Sequence, residues 1–144
     1  MRVTRNIIFC MSTIAPLASR FTPGHLADLT PAAAQTIGAI RRWAVAQRSG
    51  AWAAGVLQEQ LGCARAAAHV QLLIEEVGAA WPDPFCLSPL CCRRVSHDEA
   101  LLGRMLETAS AGDRPAFDRL CSDLLPADAR DRLFLGMNVL AGAL

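Results

Sequence analysis

The stretch Trp81–Val95, WPDPFCLSPLCCRRV, decides how the rest of the chain is organised. It contains three prolines, Pro82, Pro84 and Pro89. Each proline removes an amide donor and disfavours helical backbone in the residue before it. After residue 30, no other long stretch lacks helical periodicity. We therefore expect Trp81–Val95, called the connector below, to be irregular and to divide the chain into a front half and a back half.

Three helical segments precede the connector. Thr30 followed by Pro31 is typical of an N-cap and a first helical turn, and apolar residues then recur at helical spacing up to residue 48. A second helix is predicted over 51–61 and a third over 64–80. The third carries an apolar stripe opposite a polar face, which predicts that it packs on the core.

Three more helices are predicted after the connector. Ser96 and Glu99 form a capping box, Asp113 is the next N-cap, and Pro126 marks the start of the last helix. The last helix ends in LFLGMNVLAGAL, residues 133–144, and is apolar over too much of its circumference for a simple surface helix. We expect it to lie in the core or to form half of a subunit interface.

These segments predict an all-α fold, a single compact domain of about six helices in which the Pro/Cys-rich connector joins two three-helix halves. The length of 144 residues suits one domain. The domain is predicted to span residues 31–144, after a flexible N-terminal segment, residues 1–30, in which Met11 is an alternative start. The periodicity predicts the following core residues: Trp43, Val70, Leu73, Ile74, Val77, Leu101, Met105, Leu120, Leu124, Phe134 and Met137.

All fourteen basic side chains are arginines, since the sequence contains no lysine. This excludes the P-loop lysine and the Schiff-base lysine of pyridoxal-phosphate enzymes, because both need a primary amine. The sequence also offers no convergent set of acid, base, nucleophile and phosphate cradle. We therefore expect no enzymatic activity, and we expect an interaction or regulatory module instead.

No apolar run reaches the roughly 18 residues that a membrane-spanning helix needs. The N-terminus, MRVTRNIIFCM, is a poor signal peptide because its apolar stretch is brief. We therefore expect a cytoplasmic protein without a membrane partner. In a reducing compartment, its cysteines are expected to be thiols, metal ligands or redox groups rather than structural disulfides.

The connector and the residues after it hold the candidate site. Its four potential zinc ligands are Cys86, Cys91, Cys92 and His97. Their spacing differs from the C-x2-C pairs of recognised zinc sites. Two alternatives stay open: the cysteines pack an irregular loop as small apolar residues, or Arg93 and Arg94 stabilise a thiolate for redox chemistry.

Two kinds of partner are compatible with the sequence. Residues 53–77 have helix-turn-helix proportions and lie in the front half, where arginines outnumber acidic residues. The polar residues available to contact DNA are Arg65, His69 and Gln71, with Arg41, Arg42 and Arg48 for phosphates. The other kind is a protein partner, or a second copy in a homodimer, bound through the apolar C-terminal helix. We favour the protein partner over nucleic acid.

Residues 50–102 resemble a group of small uncharacterised alphaproteobacterial proteins, a domain of unknown function. The resemblance rests on an LG pair with an amphipathic helix, on the CC-R cluster that starts at Cys91, and on the SHDEALL segment that starts at Ser96. It carries no known activity. It implies that Cys91, Cys92, Asp98 and Glu99 belong to a shared feature, either a ligand set or an element of the fold.

Overall fold

The computed structural model describes residues 24–144 and the backbone of residues 7–9. It confirms the all-α class with six helices in the described chain: α1 Pro31–Ser49, α2 Ala53–Leu61, α3 Ala64–Ala80, α4 His97–Ser110, α5 Arg114–Cys121 and α6 Ala127–Ala143. One turn of 3-10 helix, Leu26–Asp28, precedes α1. Of the predicted N-terminal segment, residues 24–30 and the backbone of residues 7–9 are described, whereas Met11 lies outside the described residues.

Local signals place the helix ends. The Thr30 hydroxyl accepts the N–H of Ala33 at 3.4 Å, and the Asp113 carboxylate accepts the N–H of Ala116 at 2.9 Å. At the other ends, Gly50 and Gly62 end α1 and α2 with φ of 72° and 64°, in the left-handed region that glycine enters without steric cost. These short-range signals are the reason that the predicted bounds lie within a few residues of the observed ones.

The helices pack in one continuous core with α4 near its centre. α4 contacts α1, α5 and α6, while α3 packs against both α2 and α6. Most of the predicted core residues are buried: Trp43, Val70, Leu73, Ile74, Val77, Met105 and Met137. The rest are partly buried against that core: Leu101, Leu120, Leu124 and Phe134. The contacts of α1 with α4 and of α3 with α6 join the two halves directly, so the connector is not their only link.

The connector contains one short strand that the sequence did not predict. β1, Ile7–Phe9, pairs in parallel with β2, Phe85–Leu87, with Ile8 opposite Cys86. Three residues are too few to show an alternating pattern, which is why no strand was predicted here. At the C-terminal end of the connector, residues 93–95 run antiparallel to residues 24–26. The connector is therefore irregular for most of its length but has a defined backbone partner at each end.

Candidate functional site

A buried ion pair lies beneath the connector and joins the two halves of the chain. Arg41 of α1 and Glu99 of α4 are 1% and 0% exposed. The Arg41 Nε donates to Glu99 Oε1 at 2.7 Å and the Nη2 donates to Oε2 at 2.8 Å. This is the bidentate geometry that a guanidinium and a carboxylate favour. The pair is the most deeply buried polar contact between α1 and α4 in the described structure.

Arg41 also binds the connector backbone. Its Nη1 donates to the carbonyl oxygens of Cys92 at 2.7 Å and Pro89 at 3.3 Å, and its Nη2 donates to that of Arg94 at 2.9 Å. With the two bonds to Glu99, the five N–H groups of the guanidinium have five acceptors. One side chain therefore satisfies three carbonyls of a segment that has little secondary structure to satisfy them.

Glu99 and its neighbours hold the same segment through its N–H groups. Glu99 accepts the N–H of Ser88 at 3.0 Å through Oε1 and that of Ser96 at 2.8 Å through Oε2. The Ser96 hydroxyl accepts the N–H of Glu99 at 3.1 Å and donates to the carbonyl of Cys86 at 2.7 Å. Asp98 accepts the N–H of Cys86 at 2.8 Å. The predicted capping box is confirmed, and it has a second role in fixing the shape of the connector.

Sequence reasoning missed the role of Arg41, which it assigned to phosphate contact. The residue is buried, so it is not available to DNA. A signal for this was present, because Arg41 follows Ile37 by four residues and precedes Ala44 by three, on the apolar stripe of α1. A charged residue on such a stripe needs a buried counter-ion, and Glu99 supplies it.

The structure places the four predicted zinc ligands, Cys86, Cys91, Cys92 and His97, in different surroundings. Cys91 is exposed and Cys92 half-buried, both as free thiols, and they follow a turn in which the Cys92 N–H donates to the Pro89 carbonyl at 3.0 Å. Cys86 is disulfide-bonded, so its sulfur is not a thiolate donor. His97 faces a cleft on α4. Within residues 24–144, no group of three or more His, Cys, Asp or Glu side chains is placed to hold a metal ion.

The cleft that includes His97 has a volume of about 340 Å³ and lies between α4 and residues 24–29. Residues 24–26 are hydrogen-bonded to the connector, and Glu107 Oε1 accepts the N–H of Thr30 at 2.8 Å, so both ends of this wall are fixed. From α4 come His97, Leu101, Arg104 and Glu107, at helical spacing along one face. Neither His25 nor Arg104 was singled out for this cleft from the sequence, because the wall and the helix are about 75 residues apart.

The proposed DNA-reading helix keeps few free polar groups. Gln71 accepts a hydrogen bond from Trp43 Nε1 at 2.9 Å and donates to Glu75 at 3.2 Å. Arg65 is exposed and His69 is half-buried on the same helix, α3. The DNA alternative therefore rests on Arg65, His69 and the exposed Arg42, without Arg41 and with Gln71 already engaged.

An exposed apolar seam lies on α6. Leu135 is 65% exposed and Val139 is 43% exposed, and Gly142 continues the same stripe. Leu72 of α3 is also exposed, one turn before Glu76, whose carboxylate accepts a hydrogen bond from Arg132 of α6 at 3.0 Å. No helix in the described chain is long and apolar enough to cross a membrane.

Comparison of the chain with protein-family models, with curated proteins and with solved structures gives no match. The resemblance of residues 50–102 to a bacterial domain of unknown function therefore stays a prediction.

Proposed function

We propose that this protein is a non-enzymatic interaction module that forms a homodimer through the seam on α6. The observation that carries the proposal is the exposure of Leu135 and Val139 on a helix whose last eleven residues, 133–143, contain no charged side chain. Large apolar side chains that are exposed together on one helix mark interaction surfaces more often than singly exposed ones do.

The spacing of the exposed residues on α6 suits a helical partner. Asp128, Arg132, Leu135, Val139 and Gly142 are all exposed and follow one another at intervals of four, three, four and three. This is the 3.5-residue period of a coiled-coil seam. A stripe with this period stays in register with a second helix over its whole length, so another α-helix is the partner that fits it.

A second copy in antiparallel orientation fits the charges. The charged part of the stripe, Asp128 and Arg132, lies at the N-terminal end of α6, and the apolar part lies at the C-terminal end. In a parallel pair, the same charges of the two copies would meet. In an antiparallel pair centred on Val139, the charged residues of the two copies lie at opposite ends. Leu135 of each copy then faces the Gly142 end of the other. A Cβ at Gly142 would contact nothing within 4 Å, so there is room for the leucine.

The neighbouring helix extends the surface. Leu72 is 57% exposed and lies on the same stripe of α3 as Glu76, which is bound to α6. Even with Leu72, the exposed apolar side chains of this surface are far fewer than the roughly 20–30 residues per partner of a standard interface. We therefore expect a weak dimer, with a dissociation constant of about 1–100 µM.

The test is sedimentation equilibrium of the wild type, Val139→Asp and a matched control, Val45→Asp. Val45 is 40% exposed on α1, away from the seam, so both variants place a carboxylate at an equally exposed valine. We expect Val139→Asp to be monomeric because two carboxylates would be buried at the symmetry axis, while the control dimerises as the wild type does. Circular dichroism confirms that both variants are folded.

Salt separates the proposal from DNA binding. Association through apolar surface changes little with ionic strength, whereas a DNA complex weakens steeply as salt is added. A wild type that stays monomeric at about 1 mM, or a Val139→Asp variant that dimerises normally, would refute the dimer. A salt-sensitive DNA complex that Arg65→Ala weakens would favour the DNA-binding alternative instead.

A further inference from the structure

We infer that the cleft between α4 and residues 24–29 binds a small zwitterion, an α-amino acid with an apolar side chain. This inference does not depend on the dimer, since no residue of the α6 seam lines the cleft. Its basis is that one cleft presents a guanidinium, two carboxylates and an apolar wall, which are complementary to the three parts of such a molecule.

The cationic group of the cleft is Arg104. Its side chain is exposed, and its guanidinium makes no ion pair or hydrogen bond with any residue in the described chain. By contrast, Arg114 of α5 and Arg130 of α6 form ion pairs with an aspartate. Arg104 is thus free to bind a ligand carboxylate with two parallel hydrogen bonds. His25 and His97 add ring N–H groups along the polar rim of the cleft.

The anionic groups of the cleft are Asp28 and Glu107. Asp28 accepts the N–H of His25 through Oδ2 at 2.8 Å, and Glu107 accepts the N–H of Thr30 through Oε1. Each carboxylate is therefore held in place through one oxygen, and its other oxygen makes no hydrogen bond with a described residue. These two oxygens suit an ammonium group, which has three donors to place.

The apolar wall consists of Leu29, Val95 and Leu101 with Ala100. Val95 is buried, while Leu29 and Leu101 are half-buried, so apolar surface is exposed inside the cleft. A volume of about 340 Å³ is at the small end of the range for ligand pockets. It accommodates an aliphatic or aromatic amino acid but not a nucleotide or a longer peptide.

The probe is L-leucine, compared with two analogues that each lack one charge. N-acetyl-leucine has no ammonium group, and leucinamide has no carboxylate. Titration of the full chain, followed by calorimetry and by amide shifts in NMR, is expected to give a dissociation constant of about 1 mM or lower for leucine. Both analogues should bind at least about tenfold more weakly, because each leaves charged groups of the cleft without a partner. The amide signals of Gly24, Ala100 and Leu101 should shift.

Two substitutions assign the charges. Arg104→Gln should weaken leucine about tenfold and abolish the preference for leucine over leucinamide. Asp28→Asn keeps an oxygen for the His25 N–H and should reduce the preference over N-acetyl-leucine instead, because Glu107 still faces the ammonium group. Arg119→Gln, at an exposed arginine of α5, is the control and should bind leucine as the wild type does.

Three results would overturn the inference. The first is an absence of heat and of shift changes with leucine at about 10 mM. The second is equal affinity for leucine and either analogue, because the cleft would then not recognise the zwitterion. The third is unchanged binding in Arg104→Gln. A monomeric wild type in the sedimentation experiment leaves these measurements unaffected, so the cleft and the dimer fail separately.

Discussion

Replacement of Glu99 by glutamine tests the claim that the buried ion pair holds the connector in place. The amide has nearly the same shape as the carboxylate, so the substitution creates no cavity. It removes the charge beside Arg41 and turns one acceptor oxygen into an NH2 donor.

The magnitude follows from the contacts. Each carboxylate oxygen accepts two hydrogen bonds: Oε1 from Arg41 Nε and Ser88 N, Oε2 from Arg41 Nη2 and Ser96 N. Whichever oxygen becomes the NH2 group, two donors then face a donor. A hydrogen bond to a charged group contributes about 1.5–3 kcal/mol, so the loss of two predicts a decrease of about 3–6 kcal/mol in the free energy of unfolding. That is roughly a fifth or more of the stability of an ordinary domain.

Urea unfolding followed by circular dichroism measures this decrease. With a slope of about 2 kcal/mol/M, the midpoint of Glu99→Gln should fall by about 2 M. Arg132→Gln is the control, because Arg132 is half-exposed and its partners Glu76 and Asp128 are exposed too, so its midpoint should not change. Arg41→Lys should also lower the midpoint, since an ammonium group has three donors for the five acceptors. A shift below about 0.5 M for Glu99→Gln would refute the reasoning.

Two further predictions concern the thiols and the acid response. Under a thiol-specific reagent, Cys91 should react first and Cys92 more slowly. Cys121 should stay protected until the chain unfolds, because it is buried and burial raises the pKa of its thiol. Cys91→Ser is the control that removes the fast phase, and rapid labelling of Cys121 in the native protein would contradict the prediction. The hydrogen bond from Arg114, together with the charge of Arg130, holds the pKa of Asp118 below its usual value. The ionised carboxylate therefore stabilises the fold above about pH 4, and this stabilisation is lost as the pH falls through the lowered pKa. The free energy of unfolding of Asp118→Asn should therefore be lower than that of the wild type at neutral pH and approach the wild-type value in acid. If the two stability curves run parallel from pH 7 to about pH 2, the ion pair of Asp118 with Arg114 contributes nothing.

The helices were predictable because their signals are local. Thr30 with Pro31, Ser96 with Glu99, and Asp113 each fix a helix start within four residues of sequence, and Gly50 and Gly62 fix two ends. Tertiary packing did not override these signals, so the predicted and observed bounds agree closely.

The site was not predictable in the same way, because its contacts are distant in sequence. Arg41 and Glu99 are 58 residues apart, and no local pattern pairs them. The clustered cysteines drew attention to the connector, but its shape depends on the backbone acceptors of Pro89, Cys92 and Arg94, which any residue type would supply. The spacing of Arg41 on the apolar stripe of α1 carried a signal of burial that the phosphate assignment overlooked, and only the three-dimensional structure identifies what Arg41 binds.

The burial of Arg41 has a consequence for the order of folding. During synthesis, α1, α2 and α3 emerge before Glu99 does, and until then the carboxylate that pairs with the Arg41 guanidinium in the folded structure is absent. The front half therefore reaches its final packing only when α4 arrives. A chain cut within the connector should yield two fragments that stay largely unfolded alone and become helical when mixed. The two three-helix halves are thus one cooperative unit. The buried contact between Arg41 and Glu99 couples the completion of the front half to the presence of the back half.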